Sequence, residues 1–122
     1  MDRHPRALAL AALVAERDRE RLGGEFSEDI RLRAMLPGGP IEEHGRETVS
    51  KCFADWFGEY TTVVLDDAAG EMVGDRLLVH YRLIFEPDTE ERTVVTQTWV
   101  GTVAPDGTLG RIDLVCSGFR KF

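Results

Sequence analysis

Tyr81 has the strongest claim to chemistry in this chain, because a phenol on an otherwise apolar strand face can donate to a ligand carbonyl. Its plainer reading is a core tyrosine bonded to Thr96 or to a water. Cys116 offers a thiol, but a cysteine nucleophile needs a neighbouring base, and no histidine is expected beside it. Thr96 and Thr98 could hold a ligand's polar group, although threonine is common on strands for propensity reasons alone. Glu42, Glu43 and His44 carry metal-binding atoms on what reads as a polar loop. Adjacent loop residues rarely converge on one ion, so a solvated loop is expected and no metal or other cofactor. His80, Arg82 and Asp113 read as a surface network, Trp56 as core packing with Phe53 and Val49, and Asp29 as support for a turn.

The elements that would position these residues follow from spacing. Pro5 suits the first turn of a helix, and Gly23-Gly24 would stop it near Leu22. Ile30, Leu32 and Ala34 alternate with Arg31, Arg33 and Met35, which is a strand pattern; Pro37-Gly38-Gly39-Pro40 breaks it. Val49, Cys52, Phe53, Trp56 and Phe57 share one face of a second helix that opens near Gly45 and ends at Gly58. Strands fill the second half: Glu59 to Val73 with a bulge at Ala68-Ala69-Gly70, Arg76 to Phe85, Arg92 to Ala104, and Thr108 to Ser117. Helices followed by a strand meander, with no βαβ alternation, make an α+β domain in which the helices pack in the concavity of a curved antiparallel sheet.

Register decides what faces that concavity. If Ala104 pairs with Thr108, and Glu86 with Glu91, then Tyr81 stands opposite Thr96, and Val79 and Leu114 opposite Thr98. The expected pocket lining is then Leu32, Ala34, Trp56, Val79, Tyr81, Thr96, Thr98, Ile112, Leu114 and Cys116. The opposite face collects His80, Arg82, Gln97, Trp99, Asp113 and Val115, a mixture of charge and one large aromatic that suits a homodimer interface. A slip of one residue would exchange Trp99 and Gln97 with the threonines.

Composition bounds the alternatives. The 122 residues fit one domain over 1–122, with 43% hydrophobic and 30% charged residues in an ordinary globular balance. The net charge is −7, and apart from Lys51 and Lys121 the basic residues are arginines scattered among acids. Nucleic acid and anionic membranes are therefore not expected as partners. The apolar run Ala7 to Ala15 is too short for a membrane span and reads as helix rather than signal peptide. The two cysteines are expected as reduced thiols in a cytoplasm.

Four strings in order, Phe26-Ser27-Glu28-Asp29, Gly45-Arg46-Glu47 leading to Trp56-Phe57, Gly74-Asp75-Arg76 and Asp106-Gly107-Thr108-Leu109, resemble the SnoaL-like, nuclear-transport-factor-2-like superfamily of cystatin-like α+β cones. The resemblance implies a hydrophobic pocket and a homodimer, while the reactions of the superfamily differ widely. Its epoxide hydrolases use a Tyr and an Asn where this chain has Leu32 and Ala34, an Arg and an Asp where it has Val79 and Tyr81, and a further Asp where it has Leu114. Its ketosteroid isomerases need a pocket carboxylate base, and no inward Asp or Glu is expected here; without one, proton abstraction has no receiver. The resemblance therefore implies a pocket protein that binds a small apolar molecule without the usual acid and base. The alternative is an enzyme of the cyclase, isomerase or hydrolase kind acting on a polyketide- or terpenoid-like substrate, with Tyr81 as hydrogen-bond donor.

Overall fold

A computed structural model describes residues 1–58, 62–86 and 92–121. The chain forms helices α1 (Pro5–Glu16) and α2 (Arg19–Gly24), strands β1 (Phe26–Leu36) and β2 (Gly39–His44), helix α3 (Arg46–Trp56), and strands β3 (Thr62–Val73), β4 (Arg76–Glu86), β5 (Thr93–Val103), β6 (Leu109–Cys116) and β7 (Arg120–Lys121). The strands make one curved, unclosed sheet in the order β2-β1-β6-β5-β4-β3, with β7 attached to β5. Most neighbours are antiparallel, but β1 and β6 run parallel, so the sheet is mixed.

The first helical stretch is two helices rather than one. Arg17 adopts the left-handed conformation (φ 56°) and its N–H reaches back to Leu13 and Val14. The Asp18 carboxylate then caps α2 by accepting from the Arg21 N–H. The break falls where the apolar stripe runs out: Ala7, Leu10, Ala11 and Val14 are buried, whereas Glu16, Arg17 and Asp18 have no apolar side to pack. Helix α1 presses on β3 at Gly70, where a Cβ would collide with the Ala7 Cβ and the Leu78 carbonyl oxygen. Only glycine permits that approach.

Two further expectations change. Glu42, Glu43 and His44 are not loop: they form β2, paired antiparallel with β1 from Leu36↔Gly39 to Arg31↔His44. The bulge in β3 is at Asp66, between Leu65 and Asp67, while Ala68, Ala69 and Gly70 pair regularly with Tyr81, His80 and Val79. The connection from Pro87 to Glu91 between the expected strands Arg76 to Phe85 and Arg92 to Ala104, and the beginning of the second expected strand at Glu59, lie outside the described residues.

The core lies between the concave side of the sheet and the three helices. Ile30, Leu32 and Ala34 from β1, Leu77, Val79, Tyr81 and Leu83 from β4, and Ile112 and Leu114 from β6 are all buried there.

Candidate functional site

The concave wall is built from four strands whose inward residues alternate with outward ones. On β4 and β6 the expected faces hold: Val79, Tyr81, Ile112 and Leu114 are inward and buried. Leu32 and Ala34 join them from β1, and Trp56 and Cys116 sit half-buried at the rim of the core.

Strand β5 is turned over relative to expectation. Gln97, not Thr96, stands opposite Tyr81, and Trp99, not Thr98, stands between Val79 and Leu114. Thr96 and Thr98 therefore lie on the convex side with His80, Arg82, Asp113 and Val115, while Gln97 and Trp99 leave that face for the interior, each 1% exposed. The cause on the β6 side is local. The Pro105-Asp106-Gly107 connection starts as expected, with the Ala104 N–H bonded to the Thr108 carbonyl at 2.7 Å and Val103 opposite Leu109. The next pair is Thr102 with Arg111, which leaves Gly110 as the extra residue of a bulge. Beyond that point every β5 side chain changes face. The bulge brings the indole into the core, and truncating a buried Trp costs about 3–5 kcal/mol, far more than two threonines give up by facing water. The signal was present in the sequence as an isolated glycine inside a strand pattern.

The inverted register assembles a polar cluster inside the apolar core. The Trp99 indole N–H donates to the Tyr81 hydroxyl at 3.1 Å. The Tyr81 hydroxyl in turn donates to Gln97 Oε1 at 2.5 Å. Since the phenol oxygen already accepts from the indole, its own proton must go to an acceptor, which fixes the carbonyl end of Gln97 toward it and the amide nitrogen away. That nitrogen has no acceptor among the described residues. Nor is it sealed in: the one sealed side-chain polar atom without a partner among them is Thr93 Oγ1. The Gln97 amide nitrogen therefore keeps a trace of accessible surface, although the residue as a whole is 1% exposed.

The packing around the cluster is aromatic. The Phe53 ring lies 6.1 Å from Trp99 and 5.1 Å from Trp56, and Gly101 leaves room for Trp99 and Leu109 to meet, since a Cβ there would stand 3.3 Å from the indole and 3.0 Å from Leu109. At one end of the core, Phe119 lies 5.3 Å from Phe85 and 6.4 Å from Phe57. It is held there by β7, whose Arg120 and Lys121 pair with Val94 and Thr93. Cys116 stands opposite Gln97, and its sulfur accepts from the Gly118 N–H at 3.4 Å.

Electrostatics of the interior disfavour charge. Burial pushes the Tyr81 hydroxyl well above the ordinary phenol range, with the Trp99 hydrogen bond opposing. The Cys52 thiol on α3 is pushed up to about 11, first by desolvation and then by Glu43 and Asp55. Among the described residues, no three His, Cys, Asp or Glu side chains group as a metal site.

The convex side carries His80, whose Nδ1 lies 2.7 Å from the Thr98 hydroxyl, and the exposed Met35 and Val115 side by side. Beside the β2 edge, a groove of about 590 Å³ is lined by residues including Arg31, Glu42, His44 and Arg111. No helix among the described residues is long and apolar enough to cross a membrane.

Comparison with known proteins places the fold. No protein-family model matches the chain, and no curated protein does. Among solved structures, a protein with a ketosteroid isomerase-like fold from Catenulispora acidiphila, crystallised with trimethylamine, superposes with a TM-score of 0.68 at 16% identity, over 90% of this chain and 84% of that one. A candidate isomerase from Bacillus subtilis gives 0.68 at 12% identity, over 92% and 84%. A candidate SnoaL-like polyketide cyclase from Mesorhizobium loti gives 0.61 at 18% identity, over 88% and 93%.

Proposed function

We propose that this chain, a cone of the SnoaL-like, nuclear-transport-factor-2-like fold, binds a small neutral molecule in its concave interior. The Gln97 amide is the polar handle. The observation that carries the reading is the unspent Gln97 nitrogen: a buried amide with its carbonyl end locked by Tyr81 and its N–H groups without an acceptor among the described residues. Buried donors are ordinarily paired, and leaving one unpaired costs about 1–3 kcal/mol. A ligand carbonyl, ether or hydroxyl oxygen beside Gln97 would supply the missing acceptor. The remainder of the ligand would meet Leu114, Trp56 and Trp99, so its body is apolar. An ion is disfavoured, because a charge in such surroundings is penalised unless paired.

Tyr81 takes a different part from the one expected of a catalytic acid. Its proton is already donated to Gln97 and its oxygen already accepts from Trp99. Its role is to orient the amide. This favours binding over proton transfer, and the cyclase-like alternative would need a donor other than Tyr81.

The chain also fits a homodimer built on the convex face, with Met35 and Val115 at its centre, both about half exposed. Trp99 takes no part in it.

The test is a titration of tryptophan fluorescence with camphor, a neutral apolar ketone. The wild type should give a saturable change, and Gln97→Leu, which keeps an apolar side chain of similar reach, should weaken binding by about tenfold, near 1.4 kcal/mol. Equal binding by both proteins would remove the role of Gln97.

A further inference from the structure

The convex face carries a row of basic side chains that the interior site does not use. His44, Arg31 and Arg111 stand directly abreast on β2, β1 and β6. Neighbouring strands are about 5 Å apart, so two guanidinium side chains rise side by side, and like charges placed so destabilise a sheet. Two nearby acids are engaged one row along. Asp113 holds Arg111 through Nε at 2.9 Å and Nη2 at 3.2 Å, and Glu42 lies 3.9 Å from Arg33. Arg31 has no ion-pair or hydrogen-bond partner among the described residues. Around it, Arg33 and Arg111 are matched by Glu42 and Asp113, which leaves Arg31 as the arginine without a partner among the described residues of the row.

The row lines the groove of about 590 Å³, to which Thr48 of α3 also contributes. We infer that this groove is a second binding site, one that takes a small oxyanion, a carboxylate or a phosphate monoester, bridged between Arg31 and Arg111. Arg31 offers its whole planar fork, which matches an oxyanion in bidentate fashion. Arg111 keeps Nη1, which Asp113 does not use. The Thr48 hydroxyl and a ring N–H of His44 are further donors within the same lining. Glu42 and Glu43 line the groove as well, with Glu43 on the opposite side of β2, across from Leu32. They confine negative charge to the arginine end, so the site suits one small anionic group and rejects a polyanion such as nucleic acid. A ligand here would remove the repulsion between Arg31 and Arg111, which gives it a reason to bind beyond simple charge attraction.

The inference stands apart from the Gln97 reading, and its test reads different residues. Inorganic phosphate, and separately acetate, are titrated into the full chain at constant ionic strength while backbone amide NMR shifts are followed. Saturable shifts are expected at Arg31, His44, Thr48 and Arg111, with the amides of Gln97 and Trp99 unmoved. Arg31→Gln should raise the dissociation constant about tenfold, and Arg31→Lys, which keeps the charge but loses the fork, should fall between. Arg76→Gln, which removes an arginine paired with Asp75 at the far end of the same row, should change nothing. Saturation by either probe with loss in Arg31→Gln supports the site. A linear response, an equal response to chloride, or unchanged affinity in Arg31→Gln overturns it. Arg31 is exposed, so Arg31→Lys should keep the wild-type melting temperature, and Arg31→Gln, which removes the repulsion, should hold or slightly raise it; if Arg31→Gln does not fold, the Lys variant decides.

Discussion

The two sides of strand β5 carry the same number of polar side chains at their centre and treat them in opposite ways. Inward, Gln97 and Trp99 are closed into a bonded relay with Tyr81, and the relay ends on an amide nitrogen that has no acceptor among the described residues. Outward, Thr96 and Thr98 are half-exposed, and Thr98 meets only the His80 ring while water reaches the rest. A polar atom on the convex side can lose its partner and find water. One on the concave side has almost no access to water, so each bond there constrains where the next must go. The difference teaches that the number of polar groups says little about a site; what matters is whether their unpaired ends have an alternative.

Breaking the comparison at its strongest point means removing the indole. Trp99→Ala should cost about 3–5 kcal/mol in urea unfolding, whereas Thr98→Ala on the neighbouring position should stay within about 1 kcal/mol. Similar losses at the two positions would mean that β5 does not present its sides as described. Next is the relay itself. Tyr81→Phe leaves Gln97 Oε1 and the Trp99 N–H without their partner and should cost about 1–3 kcal/mol.

The same variant sharpens the contrast with pH. Folding raises the Tyr81 pKa above its unfolded value, so the folded chain holds the phenol proton where the unfolded chain would release it. The Tyr81 contribution is fully present below the unfolded value of about 10 and is lost as pH rises beyond it. Stability of the wild type should therefore fall more steeply above that pH than stability of Tyr81→Phe; parallel curves would contradict a neutral buried phenol. The smallest effect on stability belongs to the convex side. Val115→Glu should leave the unfolding midpoint nearly unchanged, within about 0.5 kcal/mol, while shifting sedimentation from dimer to monomer. A wild type that sediments as a monomer would remove the dimer proposal.

Much of the cone was legible before any coordinates. The alternation in Leu77 to Phe85 and in Ile112 to Cys116 declares its faces, because charged residues such as Arg82 and Arg111 cannot share the buried side. The apolar faces of α1 and α3 are equally plain. Three features were not. The end of the first helix at Arg17 depends on a left-handed residue that arginine seldom adopts. Strand β2 is short, charged and at a sheet edge, so its pattern looks like loop until β1 is there to pair with it. The face of β5 hung on one bulge at Gly110, and alternation alone cannot see it, since Thr96 and Thr98 make as regular a stripe as Gln97 and Trp99. Weighing the indole's burial against two hydroxyls would have favoured the correct side. Gln97 as the polar handle followed from that same turn of the strand. The row of Arg31 and Arg111 was hidden for another reason: the two are far apart in sequence and meet only through the parallel β1–β6 pairing.

The most direct measurement is an NMR titration of the side-chain amide of Gln97 with camphor, with the resonances assigned by their absence in Gln97→Leu. The two N–H signals should move together and saturate while the arginine row stays still, as expected if a ligand oxygen takes up the unspent donor. Signals that remain fixed while camphor binds elsewhere, or that already show the protection of a bonded amide in the free protein, would contradict the account.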